Sequence, residues 1–198
     1  MKVKEAKEIT GSLTRTSKMP GLSYSLPAWE CKTGSKLRKV KGSVCSMCYA
    51  LKGNYTRYKA IKAAQYVRLK SLQDSRWIEA MTAQVKRSEY FRWHDAGDVQ
   101  DLDHLNKIFE VCRQTPDTKH WMPTREAWIK DHMHAAPANL VIRFSSPMVD
   151  QGPVKSWPNT STVSTKSRTC PAPDQDNACG SCRACWDPLV KNIEYGKH

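Results

Sequence analysis

Seven of the eight cysteines in this 198-residue chain fall into two spaced groups, and that spacing constrains the fold more than any other feature. Cys31, Cys45 and Cys48 read C-x13-C-x2-C, and Cys170, Cys179, Cys182 and Cys185 read C-x8-C-x2-C-x2-C. Two residues between cysteines let a tight turn aim both sulfurs at one metal centre, as in zinc and iron–sulfur sites. The opening MKVKEAKEITGSL lacks the apolar run of a signal peptide, so a cytoplasmic location is expected, where thiols stay reduced and disulfides are rare. A set of free, half-buried thiols is the bland alternative, and two consecutive x2 spacings weigh against it.

The choice of metal follows from the counts. Cys45 and Cys48 paired with Cys182 and Cys185 would make an all-thiolate zinc site but leave Cys31, Cys170 and Cys179 unexplained. The closely placed cysteines of the second group suit a 4Fe–4S cluster, whose several irons accept ligands from one loop. The first group supplies three thiolates, which leaves one iron open to substrate or cofactor, whereas four saturate a cluster. The expectation is one open and one closed 4Fe–4S site, with zinc as the alternative; spacing alone leaves open which cysteines share a site. Cys112 lies in the apolar stripe of a helix and reads as a small buried hydrophobe.

The rest of the chain reads as α/β. Residues 1–53 are loop-rich, punctuated by Gly, Pro and Ser. A helix follows near Asn54 with Ala60, Ala63, Ala64 and Val67 inward, then another capped by Asp74 with Trp77, Ile78, Met81 and Val85 inward. Strands are expected at 90–94, 119–124, 139–146 and 161–165. They alternate with a helix carrying Leu102, Leu105, Phe109 and Cys112 and a short helix over 125–134. That order implies three or four parallel βαβ units, too few for a closed eightfold barrel, hence a partial TIM-like barrel. The chain reads as a single domain, 1–198: a loop-rich segment to residue 53, a βα core over 54–165 and a Cys-rich, metal-organised tail from 166. No stretch approaches the roughly 20 apolar residues of a membrane span.

In parallel folds the residues past the strand ends converge on the functional site. Here they are His94, Asp95, Gly97 and Asp98, then Thr124 and Arg125, then Arg143, Ser145 and Ser146. Arg143 inside an apolar strand needs an anion or an acidic partner such as Asp95 or Asp98. Together they suggest a pocket for an anionic or zwitterionic ligand. The balance of 32 Lys and Arg against 19 Asp and Glu favours polyanionic partners. Basic residues crowd the 32–41 loop and the following helix, with Tyr55, Tyr58 and Tyr66 interleaved, which suits phosphate backbones and stacked bases as well as it suits a solvated face.

The succession LPAWEC…CSMCYALKGNY, FRWHDAGDVQ, WMPTREAW, NLVIRFSS and CPAPDQDNACGSCRACW resembles the phage gene product 88 family over roughly residues 11–187. That resemblance implies residence in the host cytoplasm. The C-Y-A signature and strand order resemble, more distantly, radical S-adenosylmethionine (SAM) enzymes of the spore-photoproduct-lyase type. This second resemblance implies that Cys31, Cys45 and Cys48 hold the open cluster, that His94, Gly97 and Asp98 sit where such enzymes bind the amino-acid part of SAM, and that His94, Asp98, Arg125 and Arg143 position cofactor and substrate; Asp95 and Ser145, from the strand ends, join Gly97 as cofactor-binding candidates. The chain departs from that type in its x13 gap, in having no Gly-Gly-Glu after the second strand, and in Ala96 where Ser is usual. The function implied is radical chemistry on a nucleotide or nucleic acid. The alternative is a non-catalytic, metal-stapled module that binds nucleic acid or a host protein.

Overall fold

The computed structural model describes residues 1–197 and contains one parallel sheet of six strands in sequential order, curled into a half-barrel. The strands are β1 (Leu22–Ser23), β2 (Tyr90–Arg92), β3 (Lys119–Thr124), β4 (Leu140–Ser145), β5 (Thr160–Ser164) and β6 (Asn192–Gly196). The helices are α1 (Val3–Thr10), α2 (Lys32–Leu37), α3 (Asn54–Arg57), α4 (Lys59–Ser71), α5 (Trp77–Val85) and α6 (Leu102–Arg113). The partial α/β barrel expected from the alternation is therefore present, with two more strands than the apolar pattern marks. β1 and β6 were hidden, one inside the loop-rich segment and one inside the Cys-rich tail. Residues 166–191 are thus not a trailing appendage but the connection between β5 and β6.

Alternation along the strands sorts the two faces. Phe91, Met122, Ile142 and Phe144 face the helices and build one core with Trp77, Met81 and Val85 of α5 and Leu105, Ile108 and Phe109 of α6. Cys112 is fully buried in this core, as its stripe predicts. Leu102, expected in the same stripe, is 43% exposed because it sits in the first turn, just past the Asp101 cap. The opposite face carries Arg92, Trp121 and Arg143, and the Ala184–Trp186 turn lies across it. Trp186 Nε1 donates to the Phe91 carbonyl at 2.9 Å, and its ring meets Trp121 edge-on.

Two helical expectations need correcting. α1 forms in the segment read as loop and packs Ala6 against Ala80 and Ala83 of α5, where small side chains permit close approach. α4 is a helix as expected, but its buried residues are Gln65, Arg68 and Ser71, while Ala60, Ala63 and Val67 face solvent. The reason is polar. Arg68 reaches the Ser12 carbonyl at 2.6 Å and Ser25 Oγ at 2.7 Å, and its own carbonyl accepts from the Tyr24 hydroxyl. A satisfied guanidinium outweighs three small apolar groups. Among the described residues no helix is long and apolar enough to cross a membrane.

Candidate metal and cofactor site

The first cysteine group lies over the carboxyl ends of β2, β3 and β4, where the loops after parallel strands converge. Three short helical turns carry the thiols. Cys31 caps α2, Cys45 lies in Val44–Met47, and Cys48 precedes Tyr49–Leu51. The Cys45 turn is moored to the end of β4, with Val44 N donating to the Pro147 carbonyl and Ser43 bridging Met148. Cys31 and Cys48 pack on a small apolar cluster of Ala28, Ala50 and Ala96. Gly34 completes the arrangement. A Cβ there would crowd Cys31 Cβ at 2.9 Å and touch Cys31 Sγ at 3.7 Å and Cys45 Sγ at 3.8 Å, so both sulfurs stand beside this glycine.

Acidic and basic groups surround these thiols. Asp98 is buried and accepts from Val99 N at 2.8 Å, Thr124 Oγ1 at 2.7 Å and Arg125 N at 2.8 Å. Burial nevertheless pushes its carboxyl up to about 6. Arg125 spans Cys45 and the carbonyls of Ser145 and Ser146, at 2.8 and 2.6 Å. Ser145 thus serves through its carbonyl, and its hydroxyl pairs with Ser161. Glu126, which the strand-end reading overlooked, accepts from Thr33 N at 3.0 Å, Thr33 Oγ1 at 2.8 Å and Trp128 Nε1 at 3.1 Å. It thereby ties the turn after Cys31 to the end of β3. Burial raises the Cys31 thiol, and Asp98, the other two cysteines and Glu126 raise it further. Three cysteine thiols, Asp98 and Glu126 thus share this region with the Arg125 guanidinium.

Asp95 and Gly97 shape the rim. Asp95 accepts from Ser23 Oγ and Tyr55 OH, both at 3.2 Å, and its carbonyl accepts from the Tyr49 hydroxyl. Gly97 has φ +80° and lies against Leu26 so closely that a Cβ would meet the Leu26 carbonyl oxygen at 2.7 Å. His94 turns away from the rim. Its backbone is left-handed, φ 55°, and its ring sits among Tyr24, Trp93 and His104 with neither nitrogen hydrogen-bonded. Burial holds it well below the usual imidazole range. A cleft of about 220 Å³ beside the site is lined by Lys32, Gln100 and His104 among others.

The second group gathers on the helix-free face. Cys170 N donates to the Glu194 carbonyl at 3.0 Å, Cys179 N to the Lys18 carbonyl at 2.8 Å, and Cys185 Sγ lies 3.4 Å from the Tyr195 hydroxyl. Burial raises Cys185 to about 11 and also raises Cys179, with Cys170 adding to both shifts and Cys182 to that of Cys179. Arg143 does not meet an anion, Asp95 or Asp98. Its five N–H groups go to the carbonyls of Cys185, Thr160, Val190, Ala184 and Asp187, at 2.7 to 3.5 Å. It is a clamp on the second cysteine loop, and no donor remains for a ligand. Arg92, on the same face, stacks over Trp121 at 4.5 Å, and its charge reaches Asp95, Cys179 and Cys185, which places it between the two groups.

Of the residues singled out in the sequence, the structure brings together Cys31, Cys45, Cys48, Asp98 and Arg125, with Asp95, Gly97 and Ser145 bordering them. Cys170, Cys179, Cys182 and Cys185 form a separate gathering, and His94 and Arg143 serve neither pocket directly. Among the described residues, no three or more His, Cys, Asp or Glu stand close enough as placed to enclose a single metal ion. The family described as Gene product 88 matches residues 1–188 of the chain. No curated protein and no solved structure matches it.

Proposed function

We propose that this chain, which belongs to the gene product 88 family, is an iron–sulfur protein with an open three-cysteine 4Fe–4S site and a closed four-cysteine one. We place radical-SAM-like chemistry on a nucleotide or nucleic acid at the open site. The observation that carries the reading is the nearness of Cys31, Cys45 and Cys48 over the strand ends, where Cys45 and Cys48 both act on the Cys31 thiol and Gly34 lies beside the sulfurs of Cys31 and Cys45. The donor set fits. Thiolates are what iron–sulfur clusters take, and the surrounding carboxylates make a bound cation favourable. When bound, a cluster with an open iron supplies one-electron chemistry to the cofactor it holds.

The protein's own groups do the remainder. Arg125 lies beside Cys45 and fixes that sulfur against the β4 end. Asp98 is aimed by its three donors, and burial pushes its carboxyl up to about 6. Glu126 and Thr33 hold the Cys31 turn, so the thiols are pre-positioned by the sheet. On the far face, Arg143 organises the carbonyls around Cys185 and so sets the frame of the closed site.

The decisive experiment is iron, zinc and sulfide analysis of anaerobically purified protein with its visible spectrum, followed by SAM titration. Two clusters require roughly eight irons and eight sulfides per chain, halved by either Cys45→Ala or Cys182→Ala. SAM binding lost in Cys45→Ala but retained in Cys182→Ala supports the enzyme. Zinc without sulfide would instead support a metal-stapled binding module, favoured by the Arg143 clamp. Protein free of both metals and indifferent to a chelator overturns both.

A further inference from the structure

The outward face of α4, turned to solvent by the burial of Arg68, does not read as an ordinary solvated helix face. Among the described residues, six of the eight large exposed apolar side chains lie between Val40 and Val67. Tyr49 is 58%, Tyr58 51% and Tyr66 39% exposed, with Ile61 and Val67 beside them. Tyr58, Lys62 and Tyr66 stand four residues apart on one helix face. That face borders the cysteines: Lys62 Nζ sits 4.7 Å over the Trp29 ring and Tyr66 OH donates to Glu30 at 3.1 Å, one residue before Cys31. Tyr49 directly follows Cys48. Between Ala28 and Gln73 the chain holds eleven Lys and Arg and a single acid, Glu30, already engaged by Tyr66.

We infer that this face binds single-stranded nucleic acid and delivers it across the rim of the three-cysteine site. The charge supplies the phosphate track. Exposed tyrosines interleaved with lysines supply ring faces on which bases stack, and only an unpaired strand offers those bases. A duplex engages the same lysines but leaves the tyrosines idle, and an acidic protein does likewise. As the substrate class of the open site, the inference rests on the proposed function; strand binding is measured apart from it.

Fluorescence anisotropy of the full, anaerobically purified chain tests it, using labelled ~20-nucleotide oligo(dT) and oligo(U), the matching duplex and polyglutamate, over about 50 to 200 mM salt. The single strands should bind at least about tenfold tighter than duplex or polyglutamate. Tyr58→Ala and Tyr66→Ala should each weaken strand binding about five- to a hundredfold, and Tyr58→Phe should restore it, since the ring does the stacking. Lys59→Ala and Lys62→Ala should each lower the log–log salt slope by about 0.7. These side chains lie on the surface, and an unchanged melting temperature certifies each variant as folded. Equal binding of strand and duplex, tighter polyglutamate binding, or full affinity in the tyrosine variants overturns the inference. Strand binding by metal-free protein leaves the inference standing and sinks the cluster reading; cluster-loaded protein that ignores single strands does the reverse.

Discussion

The two cysteine groups are built by opposite means. The first sits on loops past the strand ends, with Asp98 and Glu126 holding backbone and side-chain donors and Arg125 holding carbonyls. The second is pressed against the sheet face by one arginine whose every donor is used. One is held by charged side chains reaching between loops; the other is a backbone loop locked in place. All seven thiols are half-buried, so the two groups differ in what holds them and not in exposure.

Arg143→Met should have the largest effect on that contrast. Burying a guanidinium costs several kcal/mol, offset here by five charge-assisted hydrogen bonds. Its removal orphans carbonyls that the new side chain cannot satisfy, and about 3–5 kcal/mol should be lost in denaturant unfolding. Hydrogen exchange should rise over 184–195 and stay unchanged over 31–48. Next comes Gly97→Ala, which forces a Cβ into the Leu26 backbone at φ +80°, for a loss of about 2–4 kcal/mol. Here the 31–48 turns, not the second loop, should lose protection.

Acid should weaken the core beneath the first site. Burial holds His94 well below its usual range and His104 and His120 at about 3. The unfolded chain takes up protons below about pH 6.5 while the native core refuses them, so stability is full above that pH and falls toward pH 3. A loss of about 1–2 kcal/mol per histidine by pH 5 should appear in the melting curve. His104→Gln should flatten it, and an unaltered slope in that variant would remove His104 from the account. Glu126→Gln is the smallest change. It weakens the bonds to Thr33 and Trp128 by about 1–2 kcal/mol and should loosen the Cys31 turn alone.

His94 and His120 show how far sequence reasoning reaches. Both lie beside a tryptophan in an aromatic run, His94 just past β2 and His120 near the start of β3. His120 is satisfied, accepting from Trp93 Nε1 at 3.2 Å and pairing with Thr115 Oγ1 at 2.9 Å, while His94 has neither nitrogen engaged. Residue type and neighbours do not reveal this difference, because the partners of His120 come from other elements. Strands with continuous apolar runs were legible, and β3 begins and ends where its pattern does. β6 was not, because NIEYG is short and polar and pairs only through its neighbour β5. The face of α4 was misread because apolar periodicity cannot register a buried arginine whose acceptors lie more than forty residues away. Glu126 was within reach: it follows Thr-Arg at the end of β3, the same signal that singled out Arg125. The strand-end rule found Arg143 but not its use, since carbonyls leave no trace in a sequence.

The mooring of the Cys45 turn to Pro147 and Met148 fixes an order of events during synthesis. The first three thiols leave the ribosome roughly 100 residues before the strand that anchors them, an interval of about 5–20 s at about 5–20 residues per second. Through that interval they hang on a nascent chain with no site to occupy. Their convergence is therefore an event of the nearly finished polypeptide, and anything that engages all three together meets a largely folded chain.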